Sequence, residues 1–448
     1  MKGLKTVEKK QIALGVFLMG TGHHMASWRH PDVPADGFED FNFYREVAEI
    51  AEKGKLDMIF LSDGLSFHRL SHPAELVRLD PLTLLPALAA VTKKIGLAAT
   101  ASTTYNEPFH LARKFASLDH ISNGRSAWNV VTSYYEHEAS NFSKKGHLAH
   151  DLRYERAGEF VEVVKGLWDS WEDGVLIRDK ESGVYFNSDK LHSLNHEGKH
   201  FSVKGPLNAS RSPQGHPVIV QAGSSEAGTT LAAQTADVIF TAQQTLEGAQ
   251  QFYKKVKKKV IASGRKPDEV KIMPGVSPFI GRTEAEAKEK YEQLQDLIVS
   301  EIGLDFLSDY LGGMDFSNLS LDDQLPDEIP KTNGNQSRRE LIIELARREN
   351  LTIRELYKRI AGARGHFTIF GTPEQIADQL EAWIVAEGAD GFNLMPQYLP
   401  GGLSEFVEQV IPILQQRGLF RKEYDYSTLR GHLGLLMPES KYSALKTR

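Results

Sequence analysis

Short apolar runs alternate with longer amphipathic segments along almost the whole chain, and this alternation restricts the fold more than any other feature. The apolar runs have the length and continuous character of buried parallel strands, and they occupy 12–18, 58–61, 95–101, 128–131, 218–220, 238–240, 272–276 and 392–395. The amphipathic segments read as helices at 41–52, 81–91, 108–119, 151–171, 225–236, 248–262, 284–299 and 373–386. Parallel strands with crossover helices can close into a barrel or form an open sheet. Eight such units over this length favour an α/β fold of the (β/α)8 TIM-barrel type.

Two long segments interrupt the alternation. The first, at about 172–215, follows the fourth helix and is rich in Gly, His, Asn and Ser, which predicts a loop or a hairpin. The second, at about 303–366, lies between the seventh and eighth strands and has helical patterns at 338–347 and 353–360. Insertions of this length in a barrel are typical of functional lids. We therefore predict a single domain over 1–448 with two insertions.

Composition excludes several classes of function. The 448 residues carry 53 Lys and Arg against 59 Asp and Glu, so the net charge of -6 provides no basic field for nucleic acid. The chain has no cysteine, which excludes disulfides, thiolate metal sites and cysteine nucleophiles. Its apolar runs are too short to cross a bilayer. These features predict a cytoplasmic protein that binds neither nucleic acid nor membranes.

Barrel enzymes carry their chemistry at the carboxyl ends of the strands, and the polar residues there are mostly hydroxyls and amides. No nucleophile elbow, carboxylate pair or compact metal-ligand set is evident, and the adjacent His23 and His24 would project in opposite directions on a strand. We therefore expect no metal. A rim of this kind suits a polar, phosphorylated organic cofactor. The candidate binding residues are Asp63, Ser102, Thr103, Asn129, His150, Tyr154, Ser224 and Ser225.

Two predicted helix starts strengthen this interpretation. Asp151 is expected to cap the fourth helix, which leaves His150 and Tyr154 one turn apart at its positive end. Ser224 and Ser225 open the next helix, where first-turn amides and two hydroxyls would bind a phosphate. Ordinary capping explains either helix alone. Two such starts on consecutive strand–helix units favour an anion site.

Seven strings of residues form a recognisable set: Asn129-Val-Val-Thr-Ser, His150-Asp-Leu-Arg-Tyr-Glu-Arg-Ala, Gly205-Pro-Leu-Asn, Ser212-Pro-Gln-Gly, Gln221-Ala-Gly-Ser-Ser, Gly371-Thr-Pro-Glu-Gln-Ile-Ala-Asp and Thr428-Leu-Arg. Taken together, they resemble the nitrilotriacetate monooxygenase group of the bacterial luciferase-like superfamily. The resemblance implies a two-component monooxygenase on a β/α barrel. Such an enzyme uses O₂ and reduced FMN, which a separate NAD(P)H:flavin reductase supplies.

The resemblance also implies roles for the candidate residues near the flavin ring. Asp63 matches the family's residue close to the ring, and Ser102 with Thr103 matches its contact on the third strand. Asn129 would neighbour the ring or the substrate. No catalytic residue is assigned by this comparison.

At the phosphate end, His150 and Tyr154 correspond to the family's flavin-contacting pair on the fourth helix. Ser224 and Ser225 correspond to its phosphate-binding serines. The generic barrel phosphate site follows strands seven and eight, so the implied position after strand five departs from that rule.

The substrate is expected to be a small organic molecule, with an organosulfur compound or an amine carboxylate favoured. Residues placed to meet an anionic substrate are Arg29, His23, His24, Arg364 and His366, although surface ion pairs and helix ends explain them equally well. Two alternatives stay open: hydride transfer with the deazaflavin F420, and flavin binding without turnover. By analogy, we also expect a homo-oligomer, dimer or tetramer, paired through the predicted helices at 81–91 and 108–119.

Overall fold

A computed structural model describes residues 11–67, 73–133, 135–330 and 336–446. All eight predicted strands are present and form a closed parallel barrel in which the last strand pairs with the first. The strands are β1 Ala13–Leu18, β2 Met58–Leu61, β3 Gly96–Ser102, β4 Ser126–Val131, β5 Val218–Gln221, β6 Val238–Thr241, β7 Lys271–Ile280 and β8 Gly391–Leu394. The predicted (β/α)8 fold is confirmed.

The longer helices are α1 Phe41–Lys53, α2 Pro81–Val91, α3 Pro108–Ile121, α4 His150–Trp168, α5 Glu226–Thr235, α6 Leu246–Ala262, α7 Glu284–Asp296, α8 Ser300–Tyr310, α9 Gln336–Arg348, α10 Ile353–Ala363 and α11 Pro373–Val385. A helical run not predicted from the sequence follows β8 and comprises Gly401–Glu405, the π-helical turn Phe406–Val410 and Ile411–Gln416. Shorter helices are Pro73–Leu76, Leu429–His432 and Lys441–Lys446. None of the helices in the described ranges combines the length and apolar character needed to cross a lipid bilayer.

Both faces of the barrel strands are buried, which explains why the strands are apolar without interruption. On β4, Ala127 belongs to the cluster inside the barrel, whereas Trp128 belongs to the layer between barrel and helices. Trp128 lies against Phe115 and Trp168 of that layer, at ring-centroid distances of 5.8 and 6.5 Å. This large outer core holds the helices against the barrel. The carboxyl ends of the strands form the open end of the barrel, its mouth.

The first excursion, between α4 and β5, contains the turn Ser188–Lys190 and a hairpin of His196–Glu197 with Ser202–Val203. The predicted loop or hairpin is therefore confirmed.

The second excursion, between β7 and β8, is largely helical from α8 to α10 and has its own apolar core, which includes Phe306, Leu307 and Leu356. The segment predicted as one helix at 284–299 is α7, which ends at Asp296, and the separate helix α8 was not predicted. The sequence also gave no sign of the strand Phe367–Gly371, which pairs with the second half of β7. The single-domain organisation stays a prediction.

Candidate functional site

A cavity of about 360 Å³ lies at the carboxyl ends of β4, β5 and β6. Its walls come from the end of β4, the first turn of α4, the loop between β5 and α5, the end of β6, and α9 of the second excursion. Four predicted binding residues line it together: His150, Tyr154, Ser224 and Ser225. The cavity is thus formed where two consecutive strand–helix units meet, as the helix starts in the sequence indicated.

The loop between β5 and α5 is tightly packed because glycines occupy its contact points. A Cβ atom at Gly223 would lie 3.0 Å from the Cα of Gly228 and 3.2 Å from the hydroxyl of Tyr154. The hydroxyl of Ser225 caps α5 by accepting a hydrogen bond from the amide of Gly228 at 3.1 Å. Ordinary capping therefore does occur at Ser225, yet the residue also faces the cavity. The earlier first-turn amides have no acceptor within the helix, so the tip of α5 is suited to an anion.

The start of α4 differs from the expectation that Asp151 caps it. The N-cap is Ala149, which makes no side-chain capping bond, and Asp151 already lies inside the first turn. A residue with helical backbone angles cannot act as the N-cap. The Asp151 carboxylate instead lies 3.0 Å from Nδ1 of His150, and its charge still favours this helix end. The rings of His150 and Tyr154 are 4.9 Å apart, one turn from each other as predicted.

Arg153 is a cavity residue that the sequence reasoning missed. It is only 2% exposed, and its Nη1 donates to the carbonyl oxygen of Leu148 at 3.3 Å. Its Nε has no hydrogen-bond partner within the described chain, and burial lowers the pKa of the guanidinium. A buried N–H donor without an acceptor is rare in native proteins. Arg153 lines the cavity, so an anionic ligand would supply the missing acceptor.

Ser102, Thr103 and Asn129 lie behind the cavity wall rather than on it. The hydroxyl of Ser102 is 2.8 Å from that of Ser133, which does line the cavity. Asn129 donates through Nδ2 to Thr100 at 2.8 Å, and its buried Oδ1 has no partner among the described residues. The hydroxyl of Thr103 donates to the carbonyl of Val131 at 3.2 Å.

Asp63 follows β2 and is half-buried, away from the cavity lining. One carboxylate oxygen accepts a hydrogen bond from the amide of Gly64 at 2.9 Å. Burial raises the pKa of Asp63 to about 6, even though the charge of Arg78 acts in the opposite direction. The structure therefore divides the predicted residues into two groups. One lies together at the starts of α4 and α5 and lines the cavity: His150, Tyr154, Ser224 and Ser225. The other lies around β2 to β4: Asp63, Ser102, Thr103 and Asn129.

Histidines and arginines form the side of the mouth next to the second excursion. His366 lines the cavity, stacks on Phe240 at 5.0 Å, and lies 3.1 Å from Arg338 through Nε2. His23 is fully buried, with Nε2 at 2.8 Å from the carbonyl of Phe17 and Nδ1 at 2.7 Å from Arg364. Burial, followed by the charges of both arginines, lowers the pKa of His366 well below its usual value.

The remaining basic candidates have structural partners. His24 accepts a hydrogen bond from the amide of Ala26, and burial lowers its pKa to about 3. Arg29 is exposed and donates to the carbonyl of Leu297. Over the part of the chain that the structure covers, no group of three His, Cys, Asp or Glu side chains is arranged to hold a metal ion.

The sequence matches the family model described as luciferase-like monooxygenase over residues 16–391. This chain belongs to the luciferase-like monooxygenase family. It is 58% identical to N-acetyl-S-(2-succino)cysteine monooxygenase of Bacillus subtilis (strain 168), covering 98% of this chain and 100% of that protein. Nitrilotriacetate monooxygenase component A of Aminobacter aminovorans is 52% identical, covering 96% of this chain and 98% of the relative.

A solved structure agrees with this assignment. The crystal structure of riboflavin lyase with modified FMN and its substrate riboflavin is 34% identical, covers 96% of this chain and 97% of that chain, and superposes with a TM-score of 0.85. This luciferase-like protein is thus a monooxygenase, as the sequence predicted, and neither alternative is favoured.

Proposed function

We propose that this luciferase-like monooxygenase uses reduced FMN, supplied by a separate NAD(P)H:flavin reductase, and O₂ to oxygenate a small organic substrate. The observation that supports this most is the cavity where the tips of α4 and α5 converge on buried Arg153, whose Nε lacks an acceptor in the described chain. A phosphate monoester carries the charge and the acceptor oxygens that such a site lacks.

Each end of the flavin has candidate contacts. Arg153, Tyr154 and the hydroxyls of Ser224 and Ser225 would hold the phosphate, with His150 beside them. The predicted ring contacts Asp63, Ser102, Thr103 and Asn129 stay a proposal, since they lie beyond the cavity wall.

Part of the cavity lining is apolar and includes Val130, Leu231, Phe240 and Leu341. These side chains would exclude water from the ring and from a bound substrate. When bound, reduced FMN supplies the reaction with O₂. The chain itself binds, orients and shields the reactants.

The names of two relatives indicate a substrate class. One acts on a succinylated cysteine thioether and the other on nitrilotriacetate, an amine, and both molecules carry several carboxylates. We infer that this enzyme oxygenates a small thioether or amine that bears carboxylates. The cytoplasmic location and the homo-oligomer stay predictions.

An assay with separated components tests the function. We expect the purified chain with FMN, NADH, O₂ and N-acetyl-S-(2-succino)cysteine to be inactive until a flavin reductase is added. In an FMN titration, Ser224→Ala and Tyr154→Phe should each weaken binding by about 1–3 kcal/mol per lost charge-assisted bond. Thr230→Ala, on the same helix α5 but outside the cavity, is the control. Rapid NADH oxidation by the chain alone, or unchanged FMN binding in both variants, would contradict the proposal.

A further inference from the structure

The second excursion brings a cation to the cavity from outside the barrel. Arg338 lies on α9, is half-buried, and lines the cavity together with Gln336 and Leu341 of the same helix. The other candidates were found by looking at the carboxyl ends of the strands. Arg338 cannot be found in that way, because α9 is part of an insertion.

Two contacts of the Arg338 guanidinium are with neutral acceptors. Nη1 donates to the carbonyl oxygen of Arg364, and Nη2 lies 3.1 Å from Nε2 of His366. Since a guanidinium can only donate, Nε2 of His366 must be the acceptor, so the imidazole carries its proton on Nδ1. Both of these acceptors are neutral, so these two contacts orient the guanidinium and themselves bring no negative charge to it.

The turn that presents the Arg364 carbonyl has an unusual backbone. Arg364 adopts φ 48° and Gly365 adopts φ 80°, both in the left-handed region. A Cβ atom at Gly365 would overlap Leu341 and lie 3.4 Å from Nη1 of Arg338. The turn therefore packs directly on α9 and fixes where Arg338 faces the cavity.

Arg364 adds a second positive charge behind the wall. Its side chain is buried, reaches His23 at 2.7 Å, and lies over the ring of Phe17 at 5.6 Å. The charges of Arg338 and Arg364 both lower the pKa of His366. His366 of the cavity lining is therefore under the charges of two arginines.

We propose that Arg338 is a specificity-determining residue that binds a carboxylate of the substrate. The inference rests on the proposed function and assigns different anions to the two helices that line the cavity: the cofactor phosphate to Arg153 on α4 and the substrate carboxylate to Arg338 on α9. The planar guanidinium forms paired hydrogen bonds with a carboxylate, which a neutral group at the same position of the substrate cannot reproduce.

The test compares an acid with its neutral analogue. The probes are N-acetyl-S-(2-succino)cysteine and its triamide, each assayed for kcat and KM at saturating reduced FMN. Arg338→Gln should raise the KM of the acid about 10- to 100-fold, as expected for the loss of a charge-assisted contact. Its kcat for the acid and its KM for the triamide should stay as in the unmodified enzyme. Arg338→Lys should give a KM for the acid between those of the unmodified enzyme and of Arg338→Gln.

Arg339→Gln is the matched control, because Arg339 is the next residue on α9 but donates to the carbonyls of Ile329 and Pro330. An unchanged KM of the acid in Arg338→Gln, or equal losses for acid and triamide, would overturn the proposal.

Equilibrium titrations separate this proposal from the proposed function. FMN is titrated into the protein first, and the acid is then titrated without reductant. If FMN does not bind, the proposed function is refuted. If FMN binds and the acid binds the Arg338→Gln variant as tightly as the unmodified protein, only the role of Arg338 is refuted. Acid binding that Arg338→Gln weakens supports that role whether or not turnover occurs.

Discussion

The two excursions belong to connections that leave opposite ends of the barrel. The first leaves from the end of α4 and returns to the start of β5, so it joins the barrel on the face of the strands' amino ends. The second follows α7 in the connection that begins at the carboxyl end of β7, on the face that carries the mouth. Among the described residues, the second excursion contributes Gln336, Arg338, Leu341 and His366 to the cavity and the first contributes none. The excursion that reaches the site is thus the one in the connection that begins on the mouth face.

The two excursions are also held in different ways. Polar contacts fasten the first: Glu159 of α4 accepts hydrogen bonds from the amides of His200 and Phe201, and the buried carboxylate of Asp169 contacts Arg211 and His216. The second has an apolar core of its own. We therefore expect changes in the first excursion to affect stability alone and changes in the second to affect activity as well.

The largest expected effect is at Asp169. Asp169→Asn leaves the Arg211 guanidinium buried without this charge, which should lower the free energy of unfolding by about 3–5 kcal/mol. Urea denaturation measures the loss, and kcat/KM of the folded protein should not change. Asp173→Asn, which removes an exposed partner of the same arginine, should cost about 0–1 kcal/mol. A loss of activity in folded Asp169→Asn would remove the distinction between the excursions.

A matched pair of leucines tests the contrast directly. Leu207 in the first excursion and Leu307 in the second are both almost completely buried. Replacing either with alanine should cost about 2–5 kcal/mol in its own region. Only Leu307→Ala should lower kcat/KM, because loosening the second core displaces the wall that carries Arg338. Steady-state kinetics at a temperature where both variants are folded decide this, and equal kcat/KM values would contradict it.

The sequence predicted the barrel well because its physical signal is strong. Strands buried on both faces require uninterrupted apolar residues, so β1 to β8 all stand out. The strand Phe367–Gly371 was missed because, in the part of the chain that the structure describes, it pairs with β7 alone and is not fully buried. At α4 the helix starts at His150, one residue earlier than expected, since Asp151 is as compatible with the first turn as with the cap.

The cavity was predictable only where it is built from strand ends. His150, Tyr154, Ser224 and Ser225 all follow β4 or β5, and the structure places them together. Arg153 was missed because an arginine on a helix normally lies at the surface, and only the packing of the chain shows its burial. Arg338 depends on how an insertion folds back, which no local pattern specifies.

The smallest expected effect concerns the buried histidines near the end of each excursion, His216 and His366. Burial lowers the pKa of both below the value of about 6.5 that they regain on unfolding, and it outweighs the contact of His216 with Asp169. Their contribution to stability is therefore fully present above about pH 6.5 and is lost as the pH falls toward the folded-state pKa. At pH 5.5 each should cost at most about 1.4 kcal/mol relative to pH 7.5.

Urea unfolding of His216→Gln and His366→Gln at pH 5.5 and 7.5 checks this expectation, since each variant should show a smaller pH difference than the unmodified protein. The two variants should differ in activity at pH 7.5. His366→Gln disturbs the acceptor that orients Arg338 and should lower kcat/KM for the acid, whereas His216→Gln should not. If the pH difference persists in both variants, the loss of stability in acid has its origin elsewhere, for example at His24 or His432, whose pKa values are also lowered by burial.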